Sequence, residues 1–251
     1  MHHFFCFSTE STDPDDDTDN TLVKKIVYDK GTDSEYTETF NYDGNKLISV
    51  DNGDGWKNVY TYENDNLVKD ECFVDDVLQA SVTLDYNLDE KIATYTETFT
   101  EDSGLGDRKI KHVFTYNNEG TITDEVYISY LNTDFELDRT KIITLNGKNI
   151  SKIADGTYST TYTYDDKNGA FKNIHAVEVL NILSENEFGS LIYGNTNNMT
   201  SFIENDTNTS DNYNNTYEYT YNDKNYPKIG VYKSVYGGIE DDIENVEFFY
   251  E

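Results

Sequence analysis

Cationic side chains are scarce in this chain. Nineteen lysines and arginines stand against 49 aspartates and glutamates, leaving a formal charge of −30 at pH 7. A surface of that sign repels a phosphate backbone and an anionic lipid sheet alike, so no nucleic-acid partner is expected. The plain consequence is solubility, because acidic residues crowded into turns keep a β-rich protein dispersed. Cysteine is also nearly absent: Cys6 and Cys72 are the only two, too few for a disulfide framework. Cys72, within Leu67-Val-Lys-Asp-Glu-Cys72-Phe-Val, reads as a small core-facing residue. Of four histidines, His2 and His3 sit at the terminus and His175 stands alone. His112 alternates with Ile110 and Phe114, and reads as a hydrogen-bonded core histidine rather than a ligand. No apolar run approaches the roughly 18 residues that a membrane-spanning helix needs.

Catalytic signatures are missing as well. The chain contains no His-Glu-x-x-His, no Gly-x-Ser-x-Gly and no glycine-rich phosphate loop. Asp51-Asn-Gly-Asp-Gly55 and Asp165-Asp-Lys-Asn-Gly169 share the composition of calcium loops but not their order. With the glycine in sixth place the first ligand position falls on Val50 or Tyr164, and the closing glutamate is absent. No catalytic residue, no metal site and no cofactor is therefore assigned. Carboxylates are plentiful, but a glycosidase holds two of them across a cleft, and sequence selects no pair out of 49.

What the chain does have is aromatic residues in a repeated pattern. Hydrophobic residues make up only 36%, yet 22 tyrosines and 13 phenylalanines supply a large buried area per residue. The pattern is plainest in Phe40-Asn-Tyr42-Asp-Gly-Asn-Lys-Leu47-Ile48: aromatic, polar, aromatic, then turn residues, then an aliphatic pair. Aromatics two apart lie on one face of a strand, and Asp-Gly-Asn supplies the positive φ of a hairpin turn. Further copies run Tyr60-Thr-Tyr62 to Leu67-Val68, Leu84-Asp-Tyr86, Phe114-Thr-Tyr116, Tyr162-Thr-Tyr164 and Tyr217-Glu-Tyr219-Thr-Tyr221. The spacing predicts an all-β fold over residues 21–251, an antiparallel up-and-down meander of roughly 12–16 strands, closing as a water-soluble barrel or a strongly curved sheet.

Two stretches break the pattern. Ala176-Val-Glu-Val-Leu180-Asn-Ile-Leu183 has the aliphatic spacing of a short helix that closes one end of the sheet, and residues 195–215, rich in asparagine, read as a mobile loop. Pro227 falls in a turn, where its missing N–H does no harm. Against a lipid-facing barrel stand Lys69 and Glu71, on one face with Leu67 and Phe73, and Arg139 and Lys141, on one face with Leu137 and Ile143. Burying such charges in hydrocarbon costs about 2–4 kcal/mol each near the midplane. Trp56, Tyr232 and Tyr236 are the candidate surface aromatics; rings of this kind stack on sugars or, more commonly in strands, on cross-strand neighbours.

Residues 1–20 are different in kind. Met1-His-His-Phe-Phe5 is followed by Cys6 and then by Ser8-Thr-Glu-Ser-Thr-Asp-Pro14-Asp-Asp-Asp17-Thr-Asp-Asn20, which has no aliphatic residue and cannot pack. An apolar scrap, a cysteine and a Ser/Thr/Asp tether resemble the junction of a bacterial lipoprotein, with Cys6 taking the lipid. Phe5 and His3 stand where a lipobox has a small and an aliphatic residue, which points to a start internal to a longer precursor.

The aromatic-x-aromatic-acid-turn-Leu unit resembles the YD repeats of large bacterial surface and toxin proteins. A likeness covering nearly the whole chain is to lipoproteins of Bacteroidetes carrying a domain of unknown function described as porin-like. It rests on the Cys6 tether, on Tyr162-Thr-Tyr-Asp-Asp-Lys-Asn-Gly-Ala-Phe-Lys-Asn-Ile174 and on Tyr217-Glu-Tyr-Thr-Tyr-Asn-Asp-Lys-Asn-Tyr-Pro227; Gly169-Ala170 replaces the Asn-Pro of that family. The resemblance implies a β-barrel-like meander exported to the cell envelope, as an outer-membrane lipoprotein or at the extracellular surface, and implies no activity. The expectation is a non-catalytic, monomeric envelope protein with a lipid anchor and no spanning segment, a scaffold or binding surface for a glycan or an envelope protein. Its rival is an acidic-residue hydrolase of polysaccharide.

Overall fold

The computed structural model describes residues 19–184, 196–208, 212–236 and 239–251. Sixteen antiparallel strands follow one another around a closed barrel, each paired with its chain neighbours, and the last returns to the first. They are β1 (Val23–Tyr28), β2 (Tyr36–Asp43), β3 (Lys46–Asp51), β4 (Trp56–Glu63), β5 (Asn66–Val74), β6 (Val77–Tyr86), β7 (Ile92–Phe99), β8 (Arg108–Tyr116), β9 (Thr121–Tyr130), β10 (Glu136–Asn146), β11 (Asn149–Asp155), β12 (Tyr158–Tyr164), β13 (Met199–Asp206), β14 (Asn212–Tyr221), β15 (Pro227–Tyr236) and β16 (Ile239–Tyr250). The expected meander is therefore a closed barrel. One helix, α1 (Val177–Ser184), lies in the connection between β12 and β13, at the place its aliphatic spacing predicts.

The repeat in the sequence is a hairpin in the structure. An aromatic pair ends most even-numbered strands, a tight turn follows, and the aliphatic pair opens the next strand. Asn64 and Asp65, at φ 49° and 71°, form a two-residue turn whose twist matches the flanking strands. The aliphatic pair has two different roles. Leu47 and Leu67 point inward and are fully buried, whereas Ile48 and Val68 are the extra residues of bulges that shift the register beside Tyr42 and Tyr62.

The same bulge recurs beside Tyr86, Leu145, Tyr164 and Tyr221, always at one end of the barrel. There the tyrosine hydroxyls reach back across the hairpin. Tyr42 donates to the Val23 carbonyl at 2.8 Å, Tyr86 to Leu67 at 2.7 Å, Tyr164 to Ile150 at 2.7 Å, Tyr219 to Met199 at 3.0 Å and Tyr250 to Pro227 at 2.8 Å. Burial comes first in raising the pKa of each phenol for which a shift is resolved, Tyr42, Tyr86, Tyr219 and Tyr250 among them, so these hydroxyls stay protonated donors.

Residues 165–184 cap this end. Phe171, Ile174, Leu180 and Leu183 are buried, and Phe171 packs on Phe40 with ring centroids 5.5 Å apart. Hydrogen bonds stitch the cap to several turns. The His175 N–H donates to the Asn45 carbonyl, Asn173 Nδ2 donates to Thr21 O and to the Tyr226 hydroxyl, and Asn168 Nδ2 donates to Lys224 O. We call this the capped end and the opposite one the far end.

Two expectations need correction. Residues 195–215 are not one loop: Met199–Asp206 is β13, and β14 begins at Asn212. Asn214 and Asn215 pair with Ile203 and Phe202, so hydrogen bonding within the sheet overrides the poor strand preference of asparagine. Nor do Lys69 and Glu71 share a face with Leu67. The bulge at Val68 sends Leu67 inward and both charges outward, where Glu71 pairs across the ladder with Val59 and Phe73 with Lys57.

Candidate functional site

The alternation separates two surfaces. Outward rows are polar: Thr94, Thr96 and Thr98 lie opposite the buried Tyr95, Glu97 and Phe99, and Lys109 and Lys111 opposite Ile110 and His112. Inward rows are aromatic and aliphatic with a few ionisable groups among them. Cys72 is a buried free thiol, as its setting predicts, and burial pushes its pKa to about 11. His112 is 2% exposed; its Nδ1 lies 2.9 Å from both oxygens of the fully buried Asp124, and its ring stacks on Tyr95 at 4.2 Å. Burial lowers the His112 pKa more than Asp124 raises it, so at neutral pH the pair is a hydrogen bond to an uncharged imidazole. His175 Nε2 donates to the Asp65 carbonyl at 2.6 Å and has a structural part in the cap.

Arg139 and Lys141 keep the face they share with the buried Ile143, and Leu137 leaves it. Asp138 is the extra residue of a bulge, so Leu137 turns outward opposite Tyr127 while Arg139 and Lys141 turn inward opposite Val126 and Asp124. Together with Ile153, Asp155, Tyr158, Thr160, Tyr162 and Glu204 they line a chamber of about 310 Å³ at the far end. β11 supplies Asp155, β12 the two tyrosines and Thr160, and β13 supplies Glu204, which pairs across the ladder with Thr160. Arg139 Nη1 bonds Asp138 Oδ2 at 3.1 Å, and its Nε lies 3.8 Å from Asp155 Oδ2. The guanidinium and Tyr158 remain 45% and 42% exposed, so solvent reaches the chamber. Fork-shaped donors, carboxylate acceptors, a hydroxyl and phenol rings on one small volume suit a polar ring-shaped ligand. No single residue in the pattern signals this site. The unpaired Asp138 turns Leu137 away from the chamber, whose lining comes from four strands.

The other predicted positions do not converge there. Trp56 is half-exposed at the far end. Tyr232 is not a surface ring: it faces inward, packs on Tyr217 at 5.0 Å and donates to Asn215 Oδ1 at 2.8 Å, leaving Val231 and Val235 outside. Cys6 and the rest of the tether through residue 18 lie outside the described residues, as does the side chain of Tyr236. Among the described residues no helix is long and apolar enough to cross a membrane.

No protein-family model matches the chain, and no curated protein matches it. Solved structures do. A porin-like protein from Bacteroides uniformis is similar at a TM-score of 0.52 and 14% identity, over 92% of this chain and 96% of that one. A porin-like protein from Bacteroides vulgatus is similar at a TM-score of 0.51 and 14% identity, over 92% of this chain and 99% of that one. At these identities the likeness is one of fold: the chain shares its closed β-barrel with porin-like proteins of Bacteroides.

Proposed function

We propose that this chain is a non-catalytic barrel of the cell envelope that binds a small glycan in the far-end chamber. The observation that carries the reading is the chamber itself, where Arg139, Lys141, Asp155 and Glu204 meet among Tyr158 and Tyr162 around about 310 Å³. Its lining offers charged hydrogen-bonding groups to sugar hydroxyls and phenol rings to a sugar face.

The porin-like names of the neighbours support an envelope location. A membrane-spanning reading fits less well, because a lipid-facing band is apolar and the outward rows here carry Lys69, Glu71, Lys109, Lys111 and successive threonines. The barrel then stands in water as a monomer, held at the envelope by lipid on Cys6.

The hydrolase reading keeps one supporting feature. Burial, with the charge of Glu244 adding to it, raises Glu38 to about 7 against the hydrogen bond from Tyr28, so a proton-bearing carboxyl faces the interior at neutral pH. Titration of mono- and disaccharides followed by calorimetry, with product analysis, separates the two. The binding reading expects saturable uptake, no new reducing ends, and at least a tenfold loss in Arg139→Ala, whose contact with Asp155 lies in the chamber. Binding that survives both Arg139→Ala and Tyr162→Ala overturns the site, and turnover abolished by Glu38→Gln installs the hydrolase in its place.

A further inference from the structure

One hairpin lacks the tyrosine that the others carry. In β10 the position after the bulge is Leu145, equivalent to Tyr42 in β2, Tyr62 in β4, Tyr86 in β6 and Tyr164 in β12. In β2, β6 and β12 the ring and hydroxyl span the width of the hairpin to a carbonyl at the start of the preceding strand, as Tyr86 does to Leu67. Leucine is too short to cross that distance. The space is left as a slot of about 250 Å³ between α1 and strands β7–β11, walled by Ile92, Ile122, Leu145, Ile150, Val179 and Ile182. Leu145 is 36% exposed, so the slot reaches solvent.

The slot does not end at a bare surface. Glu90, Lys148, Glu178 and Val179 line it and also line a polar cleft of about 900 Å³ on the capped end, whose other walls include Asn64, Asn66 and Tyr86. Charges at this mouth are largely neutralised in place: Lys148 pairs with Glu178 at 3.2 Å, Asp65 with Lys46, and Asp19 with Lys224 at 3.7 Å. Amide side chains donate and accept at once, which matches hydroxyl groups better than it matches an ion. The junction of a slot with aliphatic walls and a wide, locally neutral, amide-lined cleft is the shape of a head-and-tail molecule.

We propose that this junction binds a single-chain amphiphile with an uncharged polyol headgroup, the chain lying between α1 and β7–β11 and the headgroup among the asparagines of the cleft. The site is separate from the far-end chamber and does not depend on it. Each methylene drawn into the slot contributes about a fourfold gain in affinity until the slot is full.

Hexyl, octyl, decyl and dodecyl glucosides, titrated below their micelle-forming concentrations into the whole chain, test the proposal. Affinity is expected to climb along the series and then level off. Leu145→Tyr restores the missing crossing ring and should abolish the climb while melting at or above the parent temperature. Val179→Phe, which narrows the slot from the helix side, should weaken the octyl glucoside at least tenfold, and serves alone if Leu145→Tyr does not fold. Because the far-end chamber is itself proposed to take sugars, the readout is the climb with chain length and not glucoside binding as such. Affinity that is flat along the series, or that survives a folded Leu145→Tyr or Val179→Phe, overturns the site.

Discussion

The two ends of the barrel are made from the same hairpins and have opposite characters. At the capped end the turns are short and polar, tyrosines reach from strand to strand, and residues 165–184 bring Phe171, Ile174 and Leu183 into the interior. At the far end Leu131, Leu137 and Tyr158 are exposed, and in the β10–β13 sector the interior holds Arg139, Lys141, Asp155 and Glu204. The lesson concerns division of labour: a closed sheet whose stability is concentrated at one end is free to vary the other, where loops and bulges set what the interior presents. A small filled cluster of Ala80, Phe99, Ile110 and Val126 belongs to the other side of the wall, so the far-end chamber is confined to the β10–β13 sector.

The largest effect that would sharpen this contrast comes from truncation at each end. Phe171 is fully buried against Phe40, so Phe171→Ala leaves a cavity and should lower unfolding free energy by roughly 3–5 kcal/mol. Leu131 is 78% exposed at the far end, and Leu131→Ala should stay within about 0.5 kcal/mol of the parent. Denaturant unfolding of the two variants measures both numbers. Comparable losses would break the distinction between a stabilising end and a variable one.

Most of this architecture is legible in the residues. Aromatics two apart, followed by turn residues and an aliphatic pair, give the hairpin unit, and the aliphatic spacing of 176–183 gives α1. The chamber is not legible, and the reason is parity. A strand pattern is read by counting in twos, and each bulge adds one residue without a marker in the side chains. Thus Val68 separates Leu67 from Lys69, and Asp138 separates Leu137 from Arg139. The β13 strand escapes for a different reason: its neighbours β12 and β14 recruit it by hydrogen bonding that local propensity does not record.

A smaller effect comes from pH and acts on the wall between the ends. Asp70 is 4% exposed, and burial raises its carboxyl to about 7, opposed by the hydrogen bond from Asn58 and reinforced by the charge of Glu71. A carboxyl raised in the folded state binds its proton there while the unfolded chain, titrating near 3.8, has released it. Its contribution is therefore complete below that lower value and is lost as pH rises through 7. Stability should fall with rising pH across this window, by at most about 1.4 kcal/mol per pH unit from this one group. The self-repulsion of a −30 chain pushes the same way. The informative quantity is thus the difference between parent and Asp70→Asn, whose melting temperature should depend less steeply on pH between 4 and 7. Equal slopes would place the Asp70 proton elsewhere.

The smallest effect lies inside the capped end and asks whether its tyrosines act as hydrogen bonds or only as packing. Tyr86 donates to the Leu67 carbonyl at 2.7 Å, whereas Tyr62, at the equivalent place one hairpin earlier, stands near the Leu47 backbone with a buried hydroxyl that completes no hydrogen bond. Both rings occupy the same position after a bulge, so removing the hydroxyl alone isolates its contribution. Tyr86→Phe should cost about 1 kcal/mol, the net worth of a made hydrogen bond. Tyr62→Phe removes a polar group that burial has already stripped of water, and should be neutral or slightly stabilising. Two equal losses in thermal unfolding would mean that Tyr62 closes its bond in solution and that these two hairpins are latched alike. Two null results would leave ring packing as the whole contribution of these tyrosines, and would move the stability of this end onto residues 165–184.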